Sequence, residues 1–365
     1  MCNKFNLVGV VIVLAIFINA CTPVTPTPAP TETPAPAAAS ADLAGLKEYV
    51  MKQSTALHNS IIRLQGVSND YYNLAKESNF DYKAMWEKNP EAVRVMIRGA
   101  REAYLAANPD YERMEGVVAG VPELSHYDVI LDAGSPGSAG DDSVVPFDLT
   151  LPDGKVLPKP GNMFEVTEAT LWGTDPAYSI AGLEPDLNDN GQVDLGDSIP
   201  DANVLKGAAD TFEKYTKDLL SSVRSWEPTE AEAFGALIAN VPTFQDFMEG
   251  WKNSRFVAGS ASQERGFVAT SRLSDLSDNI LSWQTIYAGL SPAVKAVNAD
   301  QDAQITKNLA DLQKYVSDLY AQEKGGKRFT AEEADLFSTE GQNRATAIAG
   351  QIAQAAAQLG IKLEN

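Results

Sequence analysis

The chain has 365 residues, with 49 acidic against 29 basic side chains and a formal net charge of −20. A field of that sign repels nucleic acid and anionic lipid and attracts cations, although it serves solubility equally well. The only cysteines are Cys2 and Cys21, so beyond residue 21 there is no disulfide, no thiol nucleophile and no cysteine metal site.

At the N-terminus, Lys4 precedes an apolar run from Leu7 to Ile18 that is interrupted only by Gly9. A bilayer-spanning helix needs about 20 apolar residues, so this run reads as the core of a signal segment. It ends in Ile18-Asn19-Ala20-Cys21, which resembles a bacterial lipobox; the alternative is an ordinary secretory signal with an incidental cysteine. The expectation is a signal peptide over residues 1–20, a lipid on Cys21, and a Pro/Thr/Ala linker over 21–40 that stays extended because it cannot bury a core. That makes the chain an extracytoplasmic lipoprotein of the cell envelope, held to the membrane by its anchor.

Helical spacing begins at Asp42, where Leu57, Ile61, Leu64, Val67, Tyr71 and Leu74 predict one long helix to about Ser78. A second is predicted from Asn89 to Ala107, with Pro90 in its first turn, and another from Tyr111 to Gly120. From Ala133 to Gly161 the texture turns to Gly, Ser, Pro and Asp, and the residues flanking Pro152-Asp153-Gly154 read as a β-hairpin. In the C-terminal third, Thr229-x-x-Glu232 and Thr330-x-x-Glu333 are capping boxes, and Ser291-Pro292 reads as a further helix start. Ile305, Leu309, Leu312, Val316 and Leu319 form a core stripe, and a last helix is expected near Arg344 to Leu359. The fold class is all-α: two up-and-down bundles, 41–227 and 228–365, joined near Pro228, the first carrying the hairpin and a calcium-loop insertion.

That insertion is Asp186-Leu-Asn188-Asp-Asn190-Gly191-Gln192-Val193-Asp194-Leu-Gly-Asp197. It fits the EF-hand calcium template, with oxygen side chains at positions 1, 3, 5, 9 and 12 and glycine at 6. Asp186, Asn188, Asn190, Gln192 (through its carbonyl), Asp194 and Asp197 are the expected ligands, and a plain polar loop is the alternative. The approach from Gly182 to Pro185 and the following Pro200 allow at best half of a hand.

Other catalytic patterns are missing from the sequence. His58 and His126 are the only histidines, and there is no G-x-S-x-G and no H-E-x-x-H. His58 falls near the apolar stripe of the first helix, the place of a hydrogen-bonded core or rim residue, while His126 has Asp128 and Asp132 within reach. Glu165 and Glu168 lie three apart and share a helix face, a spacing that suits a cation or a shared proton, with two solvated surface glutamates as the alternative.

Three blocks resemble the imelysin-like family, helical proteins of bacterial envelopes associated with iron uptake and nominally classed as metallopeptidases. The first is Ala100-Arg-Glu-Ala-Tyr104 followed by Tyr111 and Glu115. The second, Phe164-Glu165-Val-Thr-Glu168-Ala-Thr-Leu171-Trp172-Gly173-Thr-Asp175, is similar to the signature G-x-H-x-I-E-x-x-L-W-G-x-D. The third runs from Glu264 to Gly289 and keeps Glu264, Asp275 and Tyr287-Ala-Gly289. The resemblance covers the chain from about residue 45 and is also similar to the EfeO-type helical domain of iron transport, without its cupredoxin portion. It implies a metal or ligand site among Glu115, Glu165, Glu168, Asp175, Glu264 and Asp275. The departures are chemical: Glu165, Arg265 and Leu273 stand at family histidines, Phe267 at its cysteine, and Met163 at its leading glycine. Oxygen ligands alone remain, which shifts the expected metal toward hard ions or removes it. The resemblance implies a ligand-binding protein of iron or other cation uptake, with iron as a candidate cofactor and iron-transport components as candidate partners, beside the calcium expected from the loop; a zinc-type peptidase and a binder of acidic polysaccharide are the alternatives.

Overall fold

The computed structural model describes residues 40–140 and 143–363. The expected signal segment, Cys21 and the expected linker up to residue 39 lie outside the described residues. The fold class is all-α, as predicted, and no helix among the described residues is long and apolar enough to cross a membrane.

Helix α1 (Leu43–Glu77) buries Leu46, Val50, Leu57, Ile61, Leu64 and Tyr71, a stripe in steps of three, four and seven that keeps one side against the core. It packs along α3 (Pro90–Val118) and α6 (Ala202–Ser225), after the short α2 (Tyr82–Lys88), which Asp81 caps. Helix α3 runs unbroken where the sequence predicted two helices, with Pro109 inside it. A proline at that place removes one i→i−4 bond, and the carbonyl it frees is that of Leu105, whose residue is exposed and can turn to water.

Short α4 (Ser125–Asp128) leads into a π-helical turn, Val129–Ala133, which closes on Gly134. A Cβ at Gly134 would sit 2.0 Å from the Val129 carbonyl oxygen, so only glycine lets the widened turn end there. The predicted hairpin forms as β1 (Leu149–Thr150) and β2 (Val156–Leu157), antiparallel with Leu149 opposite Leu157. Helix α5 (Met163–Trp172) follows, capped by Asn162, and the loop 186–197 precedes α6, whose cap is Asp201 just after Pro200.

Then come α7 (Glu230–Asn240), α8 (Phe244–Asn253), α9 (Arg272–Val297), α10 (Ala299–Lys324) and α11 (Ala331–Gln358). Both capping boxes form as predicted, and the stripe from Ile305 to Leu319 is buried on α10. Ser291-Pro292 does not start a helix: α9 begins at its Ser271 cap and runs through Pro292. The carbonyl freed there belongs to Ala288, which is exposed. Helix α9 touches α1 and α3 as well as α7, α8 and α10, so it joins the earlier helices to the later ones. Asp42 donates its N–H to the Gly289 carbonyl at 2.7 Å, and a Cβ on Gly289 would meet the Asp42 oxygen at 2.9 Å. The Tyr287 hydroxyl donates to Asp302.

Candidate metal centre

Where α3, the π turn and α9 meet, the interior is lined with acids. Glu112 and Glu115, three apart on α3, face the same way. The π turn carries Asp132 inward, and one carboxylate oxygen from each of Glu112, Glu115 and Asp132 can be chosen so that all lie within 4.8 Å of one another. Asn279 of α9 donates its amide to Glu112 at 2.9 Å and also to Glu115, and Asn108 donates to Glu112 at 3.2 Å. Asp128 accepts the Tyr111 hydroxyl at 2.6 Å. The side chain of Asp132, a residue only 7 % exposed, forms no hydrogen bond among the described residues. Buried carboxylates are ordinarily satisfied, so its free oxygens are an unmet demand for a cation or a proton.

One cation is built in. Arg272, in the first turn of α9, reaches Asp275 at 3.2 Å and lies between the rings of Phe247 and Phe267, 4.2 and 4.0 Å from their centroids. Burial opposes its charge, but Asp275, Glu112 and Asp132 outweigh that and raise its pKa. The other Asp275 oxygen is buried without a partner. Against this single charge the acids titrate above their ordinary range: burial, then Asp132 and Asp128, pushes Glu115 up to about 8. Burial likewise takes Asp128 and Asp275 to about 7, and it raises Glu112 and Asp132. Above this floor opens a cavity of about 570 Å³, onto which Glu115, Asp128, Asp132, Asp246, Glu264 and Arg272 look.

Of the sequence-predicted residues, Glu115 and Asp275 join this cluster. Glu165 and Glu168 do not act as one pair. Glu168 is 2 % exposed and accepts the backbone N–H groups of Phe267, Val268 and Ala269 at 2.6 to 3.1 Å, while burial pushes it up to about 7 against those bonds. Glu165, one turn earlier, binds Arg265 at 2.7 Å, and the same guanidinium holds Asp175 at 2.6 Å. Two positions at which the family resemblance puts histidines, 165 and 265, therefore bind each other here as an ion pair. Glu264 is exposed at the cavity wall. The histidines stand apart: His58 meets the Thr216 hydroxyl at 3.2 Å, and His126 stacks on Tyr127, leaving Asp128 to Tyr111.

Glu112 and Asp132 were not among the predicted ligands. The signal for Glu112 was present, since Glu112 and Glu115 have the same three-residue spacing as Glu165 and Glu168; nothing local announces that Asp132 joins them.

The loop 186–197 wraps its backbone around its own acids. Asp186 accepts the N–H groups of Asn190 and Gly191 at 3.1 and 2.7 Å, and Asp197 accepts those of Leu187 and Asp194, each at 2.8 Å. Asn188 and Asn190 accept N–H groups two residues on and donate their amides to Asp194 at 3.4 and 2.9 Å. Gln192 gives its N–H to Asn190. The Arg94 guanidinium donates to the Asp186 carbonyl at 3.1 Å, tying the loop to α3.

No curated protein matches the chain. The family model described as Imelysin matches residues 95–359, well over half of the sequence and all of the acidic cluster. By that match, the chain belongs to the imelysin family.

Proposed function

We propose that this imelysin-family chain is an envelope lipoprotein that binds a hard cation on Glu112, Glu115 and Asp132 and does not hydrolyse peptides. The observation that carries this reading is the convergence of three carboxylates, one of them buried without a hydrogen bond. Oxygen donors of that kind suit ferric iron, calcium or magnesium. Zinc hydrolases draw on histidine or cysteine and keep a position open for water, and neither histidine lines this cavity. Iron is the favoured cargo, with iron-transport components as partners. An acidic polysaccharide would find six carboxylates and Arg272 on the cavity walls, a poor balance for a polyanion.

The loop 186–197 supports a structural calcium site. Its first aspartate already gathers the N–H groups of the fifth and sixth residues, so the loop is closed around the side chains that the calcium template uses. Cys21 is proposed as the lipid anchor; mass spectrometry of the membrane fraction is expected to find a modified N-terminus at Cys21, and a free thiol there would refute it.

The deciding experiment titrates iron, calcium, magnesium and zinc into the full chain and into Glu115→Gln/Asp132→Asn, with casein cleavage assayed in parallel. Loss of cation binding in the variant is expected. Unchanged binding of every metal refutes the site, and casein cleavage lost in the variant establishes the peptidase.

A further inference from the structure

We propose that a second cavity, back to back with the acid-lined one, binds a small organic carboxylate through Lys324, Arg328 and the hydroxyls of Thr270 and Ser274. It measures about 310 Å³ and lies between α3, the start of α9 and the end of α10. That volume is at the small end of ligand sites, which pair apolar walls with a few placed polar groups.

One wall is apolar: Leu105 and Pro109 of α3 face Phe256 and Tyr320. The other is rich in donors. Thr270 Oγ1 is buried without a hydrogen-bond partner, although buried polar groups are ordinarily satisfied. Ser271, 3 % exposed, accepts the Leu273 N–H at 3.3 Å, so its own proton is left for another acceptor. Ser274 makes no side-chain hydrogen bond among the described residues. Lys324 and Arg328 form no ion pair among the described residues, in a chain with 49 acids; Lys324 Nζ stands 5.3 Å over the Tyr320 ring.

One acid faces the same space. Glu323 is turned toward Trp251, whose indole N–H it accepts at 2.6 Å, so one of its oxygens is engaged in the core while both cations are free. Free cations and unclaimed hydroxyl protons call for an acceptor that is negatively charged, and the aromatic and aliphatic wall calls for an apolar body behind it. A carboxylate on a ring or short chain meets both demands, whereas inorganic phosphate would leave the apolar wall unused.

The two cavities share a wall. Gly266 and Phe267 line the acidic one, Ala269, Thr270 and Ser271 line this one, and Glu168 grips the backbone between them.

The test is calorimetry and saturation-transfer NMR on the full chain with benzoate as probe. A Kd of about 1 mM or tighter is expected, weakened about tenfold or more in Lys324→Met/Arg328→Met. Both side chains are exposed, so that variant folds, and its metal titration should match wild type, which separates this site from the cation reading. Thr270→Val should weaken benzoate as well. Absence of benzoate binding, or equal binding by the double variant, overturns the proposal; phosphate binding as tightly as benzoate overturns the assignment of an organic carboxylate.

Discussion

Arg272 Nη1 lies 3.2 Å from Asp275 Oδ2, one turn further along α9, and this pair sets the electrostatics of the acidic floor. The guanidinium neutralises one carboxylate and is fixed by the rings of Phe247 and Phe267. Glu112, Glu115 and Asp132 are left to share whatever else enters, proton or metal ion.

Removing charge from that floor should therefore stabilise the metal-free chain while abolishing its ligand. Glu115→Gln/Asp132→Asn is expected to gain about 1–2 kcal/mol in unfolding free energy without metal, since each amide keeps the shape without the buried charge. Cation affinity should fall more than about tenfold. Denaturant melts of chelator-treated protein read the first effect, and a loss of stability in the variant would contradict the charge argument.

The same carboxylates set a direction for pH. Glu115 is pushed up to about 8 and Asp128, Asp275 and Glu168 to about 7, while in the unfolded chain they titrate at ordinary values near 4. Between those limits the folded state holds more protons than the unfolded state. Stability of the metal-free protein is then fully present below the unfolded pKa and declines as pH rises through the folded values. Melting temperatures recorded from about pH 5 to about pH 8 should fall, and saturating cation should flatten the slope by holding the acids ionised. A metal-free melting temperature that rises over this range would count against the buried cluster.

Arg265 joins α5 to the loop before α9 by holding Glu165 and Asp175 together. Arg265→Met leaves two carboxylates facing each other, and a loss of about 1–3 kcal/mol is expected because the pairs are only partly buried. Adding Glu165→Gln should restore part of it, giving a coupling energy of about 1 kcal/mol in a double-mutant cycle. Strict additivity would mean the ion pair carries no net energy.

Calcium in the 186–197 loop should raise the melting temperature by mass action, with an affinity of about 0.1–1 mM suited to an extracellular module. Asp186→Ala removes the side chain that gathers two backbone N–H groups and should eliminate the calcium-dependent rise. A rise of the same size in the variant would place the ion elsewhere.

Local physics was legible in the sequence. The stripes of α1 and α10, the two capping boxes and the turn of the hairpin depend on residues within one or two turns of each other, and each stands where the sequence predicted it. The two helix boundaries misread at prolines, in α3 and α9, were decided by tertiary packing: the freed carbonyls lie on exposed residues, where water replaces the missing donor. The acidic site divides the same way. Spacing alone puts Glu112 beside Glu115 and Glu165 beside Glu168, because an α-helix brings residues three apart to one face. Which pair meets a third carboxylate and which is claimed by Arg265 and by backbone N–H groups depends on contacts across 17 to 100 residues of chain, and those distances close only when α3, α5 and α9 pack.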